Sequence, residues 1–234
     1  MGDRPVCVVT GVGPGTGAAV SRRFAAGGHA VAMLARDGEK LAALAGEIEG
    51  ARGYATDVTD PDSVTASCER IAAELGAPSV LVHNAGNAAF GSIMDVTAEV
   101  MESAWRVNTL GLHLCARAVI PGMLEAGKGT ILVTGATASV RGGAAFAAFA
   151  SAKAAQRILA QSMARHLGPQ GIHVAYAVID GVIDMPLTRA FFADRPDDFF
   201  LAPDAIAETY WHLAHQHPSA WSAEVDLRPF GERW

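Results

Sequence analysis

Thr10-Gly11-Val12-Gly13-Pro14-Gly15-Thr16-Gly17 follows the apolar run 6–9 and opens a helical stretch. A glycine-rich turn between strand and helix lets backbone approach a phosphate closely. The helix N-terminus then presents unpaired N–H groups and a partial positive charge to it. Such turns are common on surfaces, and the strand–turn–helix setting is what points to a dinucleotide. Pro14 withdraws one N–H donor from the loop. About 20 residues further on, where a dinucleotide-binding unit reads the adenosine ribose, stand Arg36 and Asp37. An acid there favours NAD(H), whereas an arginine accommodates the 2′-phosphate of NADP(H). With Arg36 first, the order favours NADP(H). The alternative is that Asp37 reads the ribose and Arg36 is a solvated loop charge.

These residues need a scaffold that brings strand ends together. Apolar runs at 6–10, 30–35, 53–56, 80–83, 130–134, 172–179 and 224–227 read as strands. Segments 17–26, 39–49, 62–75, 98–126, 144–167 and 203–215 read as helices between them. Asp60-Pro61 starts one helix as N-cap and first-turn proline. Gly127 and Gly168-Pro169 end two others. This alternation predicts an α/β fold, a doubly wound, mostly parallel sheet with helices on both faces. No Ser/Gly/Pro linker divides residues 1–234, which predicts one domain. Half the residues are hydrophobic, enough for a sizeable core. The net charge is −6 without a basic cluster, which argues against nucleic-acid or membrane-surface binding. Cys7, Cys68 and Cys115 are far apart and read as core residues of a reducing compartment. No signal segment or bilayer-length apolar run is read, so a cytoplasmic location is expected.

In a doubly wound sheet ligands bind beyond the carboxyl ends of the strands. There lie Asp57-Val58, and Asn84-Ala85-Gly86 after His83. Asn108 sits inside the long fourth helix and Lys153 in the fifth. Alone, a helical asparagine reads as a bend or packing residue. Together with the glycine turn, however, the order and spacing of these motifs resemble the short-chain dehydrogenase/reductase family over nearly the whole chain. The resemblance implies a Rossmann-type sheet of about seven strands, with NAD(P) across its C-terminal edge. It places the glycine loop (Gly11, Gly13, Gly15, Thr16, Gly17) on the pyrophosphate, Asp57 and Val58 on adenine, and Asn84, Ala85 and Gly86 behind the cofactor. It also implies that Lys153 binds the nicotinamide ribose and that Asn108 helps a water-linked proton relay. The Ala35-Arg36-Asp37 segment looks like that of NADP-preferring members.

The same comparison exposes gaps. The family's proton donor is a tyrosine four residues before the lysine, a position held here by Phe149. Its partner serine, thirteen residues earlier, falls on Ala136, although Thr137 or Ser139 could reach the same place. The tyrosines are Tyr54, Tyr176 and Tyr210, none in the fifth helix, and the tyrosine spacing of enoyl reductases finds Phe146. After the sixth strand, Asp180-Gly181-Val182-Ile183-Asp184-Met185 replaces a Pro-Gly and a cofactor-contacting threonine. Gly181 and Ile183 keep the cofactor-side turn, while Met185 stands in the threonine's place.

Residues 185–201 are read as a substrate lid, with Phe191, Phe192, Phe199 and Phe200 either lining an apolar pocket or capping the core. Phe90 and Met94 are candidates for the same pocket, beside Ala136, Phe149 and Met185. His113, His166, His173, His212, His215 and His217 show no metal-ligand arrangement. The two long helices resemble the family's dimer-forming pair, with Ala147, Ala148, Ala152 and Ala155 allowing close approach. A homodimer or homotetramer is expected. Arg228-Pro229 and Trp234 depart from the family's C-terminal pattern. The expectation is an NADP(H)-dependent oxidoreductase with an atypical active site, acting on a small apolar or aromatic substrate. The alternatives are a non-redox enzyme on this fold (cyclase, isomerase or elimination) or a catalytically inactive cofactor-binding protein.

Overall fold

The computed structural model describes residues 4–232, so Trp234 lies outside the described residues. In chain order the elements begin β1 (Val6–Thr10), α1 (Thr16–Ala26), β2 (Ala30–Ala35), α2 (Gly38–Glu47), β3 (Ala51–Ala55), α3 (Pro61–Glu74) and β4 (Pro78–His83). There follow α4 (Ala98–Trp105), a π-helical turn (Arg106–Leu110), α5 (Gly111–Glu125), β5 (Gly129–Thr134), α6 (Ala147–Leu167) and β6 (Ile172–Ile179). The remainder is β7 (Val182–Ile183), α7 (Pro186–Phe191), β8 (Phe200–Leu201), α8 (Pro203–Ala214) and β9 (Glu224–Leu227).

Seven strands form a parallel sheet in the order β3-β2-β1-β4-β5-β6-β9. From β1 the strands run outward in one direction through β2 and β3, and in the other from β4 onward. The order therefore reverses between β1 and β4, the crevice where ligands bind in such sheets. Strand alternation divides the core in two. Val8, Leu34, Leu81, Ile131 and Val174 face one helical layer with Leu112, Val119 and Met123 of α5. Cys7, Val9, Met33, Val82 and Leu132 face the other, with Phe24 of α1 and Ile206, Tyr210 and Leu213 of α8.

Three differences from the sequence reading have physical causes. The fourth helix runs from Ala98 to Glu125 but widens into a π-helical turn at Arg106–Leu110, around Asn108. This helix is also long and apolar enough to cross a membrane, with mean hydropathy 1.2. That corrects the expectation that no run reaches such a length. Its apolar residues Leu112, Cys115, Ala116 and Val119 pack on the sheet. Secondly, α6 starts at Ala147, not 144, because Gly143–Phe146 close a turn in which Phe146 N–H donates to the Gly143 carbonyl. Thirdly, Ala148 and Ala152 pack against Ala104 of α4 in the same chain, so they are not free to meet a second copy. Trp105 and Ile158 remain exposed on these two helices.

Candidate active site

A cleft of about 2030 Å³ opens at the carboxyl ends of the strands. The glycine loop, residues 34–37, residues 56–59 and residues 84–88 line one part of it. Residues 134–138, Phe149, Lys153 and residues 179–183 line the rest. Of the site candidates singled out from sequence, most line this cleft, whereas Asn108, Met94, Ser139, Phe199 and Phe200 do not.

The loop after β1 is fixed by the turn after β4. Thr10 Oγ1 accepts from the Asn84 and Ala85 N–H groups, each at 3.2 Å, and Asn84 Nδ2 donates to the Gly11 carbonyl at 2.9 Å. Gly11 adopts φ +65°, and a Cβ there would lie 2.6 Å from Ala85 N. At Gly13, by contrast, a Cβ would meet nothing within 4 Å, so this part of the loop borders open space. Thr16 Oγ1, at the first residue of α1, is buried without a hydrogen-bond partner. An open glycine cradle and an orphaned hydroxyl at a helix N-terminus suit an anionic phosphate, so the residues fit a dinucleotide. The same loop abuts Met185, whose side chain fills the space beside Gly15.

At the end of β2, Asp37 is committed elsewhere. Its carboxylate caps α2 by accepting from Lys40 N–H at 3.1 Å and pairs with Lys40 Nζ at 2.8 Å. These hydrogen bonds hold its carboxyl below the usual range. Arg36 is exposed on the same rim. After β3, the Asp57 carboxylate accepts from the N–H and hydroxyl of Thr59, both at 2.8 Å, which lowers its pKa. Val58 packs beside Gly111.

Lys153 is buried at the floor of the cleft and donates to the Thr134 carbonyl at 2.9 Å and to Gln156 Oε1 at 3.0 Å. Burial lowers its pKa to about 7. Asn108 is fixed by its neighbours. Its Nδ2 donates to the carbonyls of Asn87 (3.0 Å) and Ala104 (2.8 Å), and Gln156 Nε2 donates to its backbone carbonyl at 2.7 Å. Back-bonding to the carbonyl four residues earlier suits a widened helical turn. Gln156 thus links the Asn108 carbonyl to Lys153 Nζ.

Two polar residues escaped the sequence reading. Gln156 lies three residues after Lys153, on the same face of α6, and that spacing on an otherwise alanine-rich stretch was the available signal. His83, the last residue of β4, is buried with Nδ1 3.2 Å from Thr10 Oγ1 and with Nε2 lacking a partner. Burial and then the nearby Lys153 charge push its pKa down to about 3, so it is neutral.

On the substrate side, Phe149 belongs to an aromatic cluster. Its ring centroid is 5.9 Å from Phe90 and 6.4 Å from Phe146, and Lys153 Nζ lies 6.0 Å from it. Ala136 lines the cleft nearby. Ser139 Oγ donates to the Ala136 carbonyl at 2.7 Å, away from the cleft. Thr137 lines the cleft, but its hydroxyl donates to the Asp180 carboxylate. Arg141 and Arg228 flank that carboxylate, each at 3.7 Å. In the segment 185–201 the two readings divide between residues. Leu187, Phe191 and Phe192 line the cleft, whereas Phe200 is buried on β8 and stacks edge-on with Phe199. Arg189 holds this segment closed on itself, with 2.7 Å bonds to Asp184 and a 2.6 Å bond to Asp197. Phe90 lines the cleft, but Met94 is 88% exposed and lies outside it. No cluster of three or more His, Cys, Asp or Glu is gathered for a metal among the described residues.

Comparison with known proteins agrees with this architecture. Residues 5–196 match the sequence pattern of the family described as short chain dehydrogenase. The chain is 34% identical to cis-4-hydroxycyclohexanecarboxylate dehydrogenase of Sinomonas cyclohexanicum, over 89% of its own length and 88% of that protein's. A short-chain dehydrogenase from Rhodopseudomonas palustris superposes with a TM-score of 0.81 at 39% identity, covering 97% of this chain and all of that one. The alcohol dehydrogenase of the archaeon Thermococcus sibiricus, solved with 5-hydroxy-NADP, superposes with a TM-score of 0.87 at 26% identity, covering 99% of each chain. With strand order, cleft and sequence in agreement, the chain belongs to the short-chain dehydrogenase/reductase family.

Proposed function

We propose that the protein is an NADP(H)-dependent oxidoreductase with an altered proton-donor site, acting on a small apolar or aromatic substrate. The observation that carries this reading is a cleft with two unlike ends. One end has an open glycine cradle and an orphaned Thr16 hydroxyl, and the other is walled by Phe90, Phe146 and Phe149. The bound nicotinamide would supply or accept a hydride. Gly11, Gly13, Gly15, Thr16 and Gly17 would hold the pyrophosphate. Asp57 and Val58 would border the adenine, Asn84, Ala85 and Gly86 would back the cofactor, and Gly181 and Ile183 would border its nicotinamide end. Lys153 would border the nicotinamide ribose, with one N–H turned to the cleft. Because Asp37 is occupied as a helix cap, Arg36 is the side chain left to meet a 2′-phosphate. The NADP-type ligand of the Thermococcus sibiricus protein supports this choice. The ring in the name of the Sinomonas cyclohexanicum protein's substrate supports a compact ring ligand among these phenylalanines. Substrates that arrive already activated, such as iminium ions or polarised enones, suit a site whose tyrosine position holds Phe149.

The test is a fluorescence titration with NADPH and with NADH. Micromolar NADPH binding, tighter than NADH, is the expected result. Arg36→Ala should weaken NADPH by about ten- to hundred-fold, the worth of a charge-assisted hydrogen bond, while leaving NADH unchanged. Equal loss for both cofactors would show that Arg36 does not read the phosphate. The aromatic cluster at the tyrosine position also favours a second reading, a cyclase, isomerase or elimination enzyme. Product formed without any change in NADPH absorbance would establish that alternative. We further propose a cytoplasmic homodimer or homotetramer built on α4–α5 and α6, where exposed Trp105 and Ile158 supply apolar surface. Sedimentation of a Trp105→Asp, Ile158→Asp variant as a monomer would support that interface.

A further inference from the structure

Gln156 is fully buried, and its orientation is fixed from both ends. Its amide nitrogen donates to the Asn108 carbonyl at 2.7 Å, so its oxygen must face Lys153, whose Nζ donates to it at 3.0 Å. The Tyr176 hydroxyl donates to the same oxygen at 3.5 Å. A second proton of Nζ is held by the Thr134 carbonyl at 2.9 Å. An ammonium carries three protons. Two are held by acceptors inside the protein, and Lys153 itself forms part of the cleft lining, which leaves the third position for the cleft. Neither anchor can take a proton onward at ordinary pH, because a carbonyl oxygen and an amide oxygen are both very weak bases. Among the described residues, the route left for a proton at Nζ therefore leads into the cleft.

We propose that Lys153 is the proton donor and acceptor for the substrate in this chain, and that Gln156 is the positioning residue that aims it. The proposal rests on the reading of the cleft as a nicotinamide site. In the reductive direction, a bound reduced nicotinamide would supply the hydride that becomes the new C–H bond at the substrate carbonyl carbon. The π pair of the C=O group moves to oxygen and takes the third proton of Nζ, and the broken N–H pair stays on nitrogen as its lone pair. The amine that remains has two protons, those already held by Thr134 and Gln156. Both protonation states thus keep the same anchors, and the missing proton returns from solvent through the cleft. Oxidation of an alcohol runs the same transfer backwards.

The surroundings allow both forms. Facing Lys153 are His83 of β4, which burial keeps neutral, and Tyr176 of β6, whose pKa burial raises to about 12. Tyr210 of α8, bonded to Thr134 Oγ1, is likewise kept protonated, and on α6 itself the neighbours are Phe149 and Gln156. With a lysine pKa of about 7, the donor form dominates below that pH. Carbonyl reduction should fall as pH rises through it, and alcohol oxidation should rise.

The chain has only three lysines, Lys40, Lys128 and Lys153, so selective labelling with [ε-¹³C]lysine gives three signals. Titration of the cofactor-free protein should find the Lys153 midpoint near 7. Gln156→Glu places a carboxylate on the amine and should raise that midpoint by about one to three pH units. Gln156→Met removes the acceptor at similar volume and should lower it. The pH limb of NADPH oxidation with 4-nitrobenzaldehyde should move with the midpoint in both variants. A midpoint unmoved in two variants that keep the wild-type melting curve would overturn the proposal, as would a rate limb that ignores the midpoint. NADPH binding on the same samples separates the two levels. Retained binding with an unmoved midpoint sinks this proposal alone, whereas a wild-type protein that binds no NADPH sinks the cofactor reading and the proposal with it.

Discussion

Phe149→Tyr, combined with Ala136→Ser, is expected to raise NADPH-dependent reduction of a simple carbonyl by about 10²-fold. A positioned general acid contributes roughly 10²–10⁴-fold, and the gain should fall at the low end because Lys153 already serves in part. In energy this is about 2.7 kcal/mol of transition-state stabilisation. The geometry gives the new hydroxyl a cation to work with. Lys153 Nζ lies 6.0 Å from the centre of the Phe149 ring, so a phenol there would sit in the field of that charge and ionise more readily. Ala136 lines the same cleft, where a serine hydroxyl would hold the substrate oxygen. Reduction of an N-alkyl iminium salt should change little in the same variant, because that carbon accepts hydride without any proton. A gain on carbonyls but not on iminium ions would identify the absent acid as the limiting group. No gain on either would mean that the substrate does not sit over Phe149.

The parts of this chain that were legible from sequence are those set by backbone periodicity and topology. An apolar run such as 172–179 has little choice but to be a central strand, and the structure buries every residue of β6. Once strands alternate with helices, the residues after each strand must gather at one edge. That is why sequence position alone groups Gly11, Asp57, Asn84 and Gly181, and why all line one cleft. What spacing cannot show is the partner to which each polar side chain is committed. Asp37 looks like a ribose ligand in sequence and is a helix cap in space. Thr137 could have stood in for a catalytic serine, yet it donates to Asp180, some forty residues away in sequence. Asn108 looks like a packing or relay residue in sequence, and its backbone carbonyl accepts from Gln156 in space. The Asp37 cap is a local bond to Lys40, whereas the Thr137 and Asn108 partners are tertiary contacts that local pattern does not encode. The same holds for the phenylalanines after β7, where Phe191 and Phe192 reach the cleft and Phe200 turns into the core.

Two neighbouring glycines of one loop should behave in opposite ways when changed to alanine. Gly11→Ala should lower the melting temperature by about 6–12 °C, corresponding to about 3 kcal/mol in a chain of this size. At φ +65° a side chain costs roughly 1–2 kcal/mol by itself. The added carbon would also lie 2.6 Å from Ala85 N and 3.0 Å from Asn84 C. Both atoms are backbone, so no rotamer change relieves the overlap. Relief requires parting the two turns that Asn84 Nδ2 and Thr10 Oγ1 hold together, and NADPH binding should be lost with them. Gly13→Ala meets nothing within 4 Å and has no left-handed backbone to strain. Its stability should stay within about 0.5 kcal/mol of wild type, yet NADPH affinity should fall at least about tenfold, because the methyl enters the space in which a phosphate would approach the backbone. Differential scanning fluorimetry with and without NADPH reads both effects in one experiment. A Gly13→Ala protein with unchanged stability and unchanged NADPH affinity would show that this opening is not the phosphate cradle. The loop would then be a tight turn against Asn84 and Ala85, and the orphaned Thr16 hydroxyl would need a different partner.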